Sequence, residues 1–287
     1  MTNRSITHTT YIVFASSHIR VENYLETEIH SDITDIFGAL VRSEPIGTEI
    51  GRLELHRRRE NILVVDATGP SNEFVTARDA INGFFHRVVQ AIIAAHPELL
   101  WLHAGVASTK DRAIVFLGPS RSGKSTLVTG LIQVGWHYLS DEVAPIDPET
   151  STVMPFPITP LVRKPNREAI QQSRFGEFKK DSFALDSVVV AEHANAIGAF
   201  VFPTYRSDSM ATINQASPAG AAVAMLNNSL NINPYTAEHV GQFCGLAGQT
   251  PCFNLQYAQA ADAVALLCTE RLWEATAYMS FPNQIHR

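Results

Sequence analysis

The sequence predicts an α/β protein, with a mixed-sheet domain over residues 74–287 and a smaller β-rich part over residues 1–73. Three observations predict it. The run AIVFL, Ala113 to Leu117, is an unbroken apolar segment of strand length that feeds directly into GPSRSGKSTL, Gly118 to Leu127, where a second apolar segment begins. Apolar residues recur with helical spacing at Phe74, Ala77, Ile81, Phe84, Phe85, Val88, Val89, Ile92 and Ile93 until Pro97 stops them. Before that helix the pattern is β-like throughout.

In chain order, Tyr11 to Phe14, Ile50 to His56 and Ile62 to Val65 read as strands, the last two flanking a solvated hairpin tip at His56 to Arg59. The helix that follows is expected to seal this part against the next domain. Leu99 to Val106 and Ala113 to Leu117, joined by a polar turn at Ser108 to Arg112, suggest an antiparallel hairpin. A helix from Lys124 to about Val134 is ended by Gly135, a strand Trp136 to Ser140 follows, and Val143 to Ile146 is a further strand before a turn at Asp147. Prolines 155, 157, 160 and 165 break up Met154 to Asn166, and Arg174 to Asp181 reads as a polar, charged loop. Ser217 and Pro218 open a helix as N-cap and first residue, another starts near Thr236, Cys252 to Tyr257 is a strand, and a last helix runs from about Gln259. No internal repeat or low-complexity segment is visible.

Composition narrows the function classes. The 287 residues are 45% apolar and 17% charged, ordinary for a globular protein with a full core. No run of about 18 apolar residues occurs and the N-terminus lacks a secretory hydrophobic segment, so a soluble, cytoplasmic protein without a membrane partner is expected. Three cysteines, Cys244, Cys252 and Cys268, without a C-x-x-C spacing argue against a disulfide framework or a closed zinc site. A net charge of −6 does not favour nucleic acid. A homo-oligomer is neither required nor excluded.

The stretch from Gly118 to Ser125 fits G-x-x-x-x-G-K-[ST], the phosphate-binding loop of nucleotide enzymes. Glycines at 118 and 123 permit backbone conformations that a Cβ resists. The N–H groups of Ser120, Arg121, Ser122, Gly123, Lys124, Ser125 and Thr126 can then converge on phosphate oxygens at the positive end of the following helix. Lys124 would reach the outer phosphates of ATP, and the Ser125 hydroxyl would ligate Mg²⁺. Lys124 is expected to face solvent, without core packing.

Length arithmetic finds the next partners. The helix carries the backbone about 16 Å away at about 1.5 Å per residue, and the strand Trp136 to Ser140 returns about 17 Å at about 3.3 Å per residue. Asp141 and Glu142 therefore arrive beside the loop, on a parallel β-α-β path. One carboxylate can hold Mg²⁺ and the other can take a proton from an attacking hydroxyl. His103, among Trp101, Leu102 and Val106, has the pattern of a core residue.

These residues carry a resemblance. Leu102 to Val106, the hairpin, the loop Gly118 to Ser125 and Leu139 to Val143 resemble the catalytic core of the HPr kinase/phosphorylase family, and more closely the bacterial HPr kinase-related proteins, some encoded with peptide-modification systems. The similarity runs more weakly through Met154 to Ile158 and Val201 to Arg206, over about residues 75 to 270. The resemblance implies a mixed-sheet P-loop kinase domain of the HPr kinase/phosphoenolpyruvate carboxykinase type. It implies Asp141 as general base, Glu142 as the second acid and metal ligand, and His103 as a site histidine. Two departures stand out: Glu142 replaces the family's usual aspartate, and the glycine- and arginine-rich C-terminal signature is missing.

The function expected is an ATP- and Mg²⁺-dependent kinase that phosphorylates a hydroxyl, serine of a peptide or small protein, with Asp141, Lys124 and His103 as catalytic residues. Arg163, Lys164 and Arg206 are candidates for contacting the phosphoryl group or acceptor, and the acceptor pocket is expected from segments 154–181 and 203–210. A nucleotide-binding regulatory module without catalysis and a small-molecule kinase are the alternatives.

Overall fold

The computed structural model describes residues 6–25, 27–67, 69–109, 112–159, 189–231 and 236–269. Arg163, Lys164 and the loop Arg174 to Asp181 lie outside them. The described residues form two compact units by contact. One runs to Pro97 and includes the short stretch from Pro157 to Thr159; the other runs from Glu98 to Phe156 and resumes at residue 189.

The first unit is a six-stranded mixed sheet with two helices. Its strands are β1 (His8–Phe14), β2 (Ser17–Asn23), β3 (Val41–Arg42), β4 (Thr48–Arg58), β5 (Asn61–Asp66) and β6 (Asn72–Phe74), in the order β3-β1-β2-β4-β5-β6. Only β2 and β4 pair in parallel; the β4–β5 hairpin closes at Arg58 opposite Asn61, with Arg59 at φ 57°, so the basic cluster is a hairpin tip as expected. Helix α1 (Thr27–Phe37) was not legible as a helix within a β-like stretch.

Helix α2 (Ala77–Ala95) packs on β4, β5 and β6, and buries Ile81, Phe84, Val88 and Ile92. It starts three residues later than the apolar periodicity suggests, because the Thr76 side chain accepts the Asp79 amide at 3.1 Å and caps it, leaving Phe74 in strand β6. By contact this helix belongs with the N-terminal strands, and the first unit continues through it to Pro97.

The second unit holds a nine-stranded mixed sheet: β7 (Leu100–Leu102), β8 (Ala104–Ser108), β9 (Ala113–Leu117), β10 (His137–Ser140), β11 (Ala144–Asp147), β12 (Thr152–Val153), β13 (Asn195–Tyr205), β14 (Thr212–Gln215) and β15 (Cys252–Tyr257). Its helices are α3 (Lys124–Gln133), α4 (Pro218–Asn227), α5 (Ala237–Gln249) and α6 (Ala260–Leu267). Helix α4 is capped by Ser217 and α5 by Thr236, as the sequence indicates.

The hairpin before the loop forms, Ala104 opposite Leu117 through Ser108 opposite Ala113. The segment 99–106 is not one strand, however. It breaks at His103, where β7 leaves to pair with β11 and β8 stays with β9, and the His103 amide donates instead to Asn228 O at 2.7 Å. Strand β8 is antiparallel to both β9 and β10, so β9 and β10 run parallel with β8 between them. Strand β13 is parallel to β9 and to β15. The carboxyl ends of β10, β9, β13 and β15 therefore share one edge of the sheet. Among the described residues no helix is long and apolar enough to cross a membrane.

Candidate functional site at the carboxyl edge of the second sheet

The loop from Gly118 to Gly123 leaves β9 at this edge and turns straight into α3, whose first-turn N–H groups have no carbonyl partner inside the helix. Gly123 is the N-cap residue at φ 98°, and a Cβ there would stand 1.7 Å from the Tyr257 hydroxyl. Conformation and space both demand glycine at this position. Arg121 takes φ 71°, and Ser122 donates its amide to Pro119 O at 3.2 Å, so the loop curls on itself. The Ser122 Oγ is buried with no hydrogen-bond partner among the described residues.

Lys124 is not on a solvent-facing surface as expected: it is 6% exposed. Its Nζ donates back to Gly118 O at 2.8 Å and Pro119 O at 3.3 Å, bracing the loop from within. Burial lowers its proton affinity below that of an ordinary lysine, and the negative charges of Glu142 and Asp141 oppose the shift. The ammonium is thus held where a phosphate could replace two carbonyl oxygens as its partner. Ser125, one residue on, is half-buried, and Thr126 is exposed.

Asp141 follows β10 and is 1% exposed. The Ser140 hydroxyl donates to Val143 O and accepts the Val143 amide, pinning the turn that carries the two acids. Gly105 on β8 makes their approach to the loop helix measurable. A Cβ at residue 105 would stand 2.8 Å from Val128 Cγ2, 3.4 Å from Asp141 Oδ1 and 3.5 Å from Lys124 Cβ. The missing side chain lets α3 settle onto β8 and lets the Asp141 carboxylate and the Lys124 stem share one small space. Glu142 is half-buried, and its Oε2 lies 3.3 Å from His103 Nδ1. The fully buried Tyr138, on β10, has its phenol pushed well above the usual tyrosine range, first by burial and then by the charges of Asp141 and Glu142.

Arg206 is exposed, just past the end of β13, with its amide donating to Tyr257 O at 2.9 Å. The sheet thus separates the expected site residues. His103, Lys124, Asp141 and Glu142 lie on the β8 and β10 side of the loop; Arg206 lies on the β13 and β15 side. Three residues that matter were missed from sequence. Gly105 stood inside a motif without a role, and Tyr257 and Tyr205 sit at strand ends, where only sheet order reveals what they face.

The residues present fit a phosphate and a hard cation. A glycine-walled cradle, a buried lysine and an unpartnered buried hydroxyl at Ser122 suit phosphate oxygens. One hydroxyl with one or two carboxylates suits Mg²⁺, which takes few protein ligands and shares itself with substrate phosphates. Among the described residues no group of three or more His, Cys, Asp or Glu forms a protein-only metal cage.

No protein-family model and no curated protein matches the chain. Among solved structures it is similar to the HPr(Ser) kinase/phosphatase from Coxiella burnetii, at 12% identity, covering 62% of this chain and 96% of that one, with a TM-score of 0.30. At that score the likeness is too slight to transfer a function.

Proposed function

We propose that this chain is an ATP- and Mg²⁺-dependent phosphotransferase that moves the γ-phosphoryl group to a hydroxyl, with serine of a peptide or small protein as the acceptor class. The observation that carries the reading is the meeting of Asp141 and Lys124 at Gly105, under the first turn of α3. A carboxylate from the turn after β10 and a lysine from the start of α3 are brought to one point, beside first-turn amides that have no carbonyl partner inside the helix.

In this reading the first-turn amides of α3 and Lys124 hold the phosphates. Ser125 and Glu142 would hold Mg²⁺, which when bound would supply charge neutralisation on the outer phosphates. Asp141 takes the proton of the acceptor hydroxyl as its oxygen bonds to the γ-phosphorus, while the bond to the β-phosphate oxygen breaks and ADP leaves with that electron pair. His103 fixes the Glu142 carboxylate. Most of the acceleration comes from positioning and charge neutralisation. ATP as donor suits a cytoplasmic protein.

The test is transfer of labelled phosphate from γ-labelled ATP to a serine-containing peptide library, with Mg²⁺ and with excess EDTA. Metal-dependent labelling of serine is the expected outcome. A wild-type protein that binds Mg·ATP but neither transfers nor hydrolyses it would leave a nucleotide-binding module instead.

A further inference from the structure

The two sides of the loop differ in chemistry, and the difference orients the nucleotide. On one side, across β8, stand the acids of the β10 turn. On the other stand the ends of β13 and β15, which carry aromatic residues. Tyr205 and Tyr257 are directly paired in the β13–β15 ladder, so their side chains leave the same face of the sheet. That face is the loop's face, because the Tyr257 hydroxyl occupies the space a Cβ of Gly123 would take and lies 3.4 Å from Ser122 O. The carbonyl of Pro203, two residues before Tyr205, lies 3.7 Å from the Cβ position of Gly118.

The two phenols play different parts. Tyr257 is buried beneath the loop and its pKa is pushed up to about 12 by burial and by Tyr205. Tyr205 meets it edge-on at 6.1 Å between ring centroids, yet is itself 57% exposed. A buried ring beneath the loop thus packs edge-on against an exposed one at the end of the neighbouring strand. Beyond it the chain turns back, with the Ser209 amide on Arg206 O at 3.3 Å, and presents Met210 at 85% exposure before β14 returns alongside β15.

We infer that Tyr205 is the platform on which the purine of the bound nucleotide stacks, the nucleoside lying on the β13–β15 side of the loop and the reacting phosphate on the β10 side. This rests on the phosphotransferase reading above. The γ-phosphoryl group must face Asp141 if that carboxylate is to take the acceptor's proton, so the other end of the nucleotide points across β9 toward β13. Strands β10 and β13 are three spacings apart, about 14 Å, a span on the scale of an extended nucleoside triphosphate. An exposed aromatic face at that distance suits a purine base, which offers a flat π surface for stacking. Arg206, placed here, belongs to the nucleoside end and not to the acceptor.

The experiment compares Mg·ATP with Mg·tripolyphosphate, which has the phosphates and no base, by calorimetric titration of wild type, Tyr205→Ala and Tyr205→Trp. Tyr205→Ala should weaken ATP on the order of ten- to a hundredfold and leave tripolyphosphate within about twofold, while Tyr205→Trp keeps ATP binding near wild type because stacking tolerates either ring. Unchanged ATP affinity in Tyr205→Ala, or an equal loss for both ligands, overturns the platform alone. Wild type that binds neither ligand overturns the phosphate site and the platform with it.

Discussion

His103 Nδ1 and Glu142 Oε2 lie 3.3 Å apart, although one residue stands at the break between β7 and β8 and the other in the turn after β10. The His103 backbone is held separately, by its amide on Asn228 O, so the residue is tied at both its backbone and its side chain. The pair gives Glu142 a fixed position beside a buried Asp141, which a flexible surface carboxylate would not have.

If the two act as a unit, their substitutions are not additive. His103→Ala and Glu142→Gln should each slow phosphoryl transfer, and the double variant should be slowed by less than the product of the two, with a coupling of about 0.5–3 kcal/mol. A double-mutant cycle on transfer rate checks this. Strict additivity would mean that the pairing is incidental to the chemistry.

Asp141→Asn separates catalysis from binding. The amide keeps the shape but accepts no proton at neutral pH, so Mg·ATP affinity should persist while transfer falls by about two to four powers of ten. Loss of Mg·ATP affinity together with turnover would exchange the roles, with Asp141 on the metal and Glu142 as base. Equal rates for wild type and variant favour the regulatory binder.

Lys124→Met should weaken Mg·ATP by about one to two powers of ten, since charge-assisted hydrogen bonds are lost. It also predicts a pH signature. The folded-state pKa lies below the ordinary value of 10.5, so in the window between the two the unfolded chain binds the extra proton. Wild-type stability should therefore gain with rising pH across that alkaline window relative to Lys124→Met, and denaturant unfolding of both proteins at several pH values measures the difference. A constant difference would show that the ammonium is as well solvated folded as unfolded.

Gly123→Ala meets two obstacles at once, a left-handed backbone costing about 1–2 kcal/mol and a Cβ placed against the Tyr257 hydroxyl. Removing that hydroxyl should relieve most of the second, leaving the Tyr257 ring Cζ 3.0 Å away. Tyr257→Phe alone loses only a long hydrogen bond to Ser122 O and should change stability by about 1 kcal/mol or less. Combined with Gly123→Ala, it should recover part of the lost stability and of the ATP affinity. Identical destabilisation by Gly123→Ala in both backgrounds would place the strain in the backbone only.

What the sequence alone determined is whatever chain continuity controls. The strand Ala113 to Leu117, the glycine-bracketed loop and the helix are adjacent in sequence. The return of Asp141 and Glu142 follows from rise per residue, which no distant contact alters. The hairpin of β8 and β9 and the caps at Ser217 and Thr236 are local for the same reason.

Tertiary structure decided the rest, because it depends on pairings between residues far apart in the chain. The break at His103 exists because β11 captures β7 while β9 keeps β8, a competition that an apolar run from Leu99 to Val106 does not display. Helix α1, with the short 3-10 turn Gly38–Leu40 after it, lies in a stretch otherwise made of strands, and the start of α2 was set by the Thr76 cap over the apolar period. Lys124 is buried where α3 packs against β8 over Gly105, a contact between residues far apart in the chain. Tyr257 lies under a loop more than a hundred residues earlier because β13 pairs in parallel with both β9 and β15, bringing their carboxyl ends to one edge. Strand order is a property of hydrogen-bonded neighbours in space, and residue spacing along the chain carries no record of it.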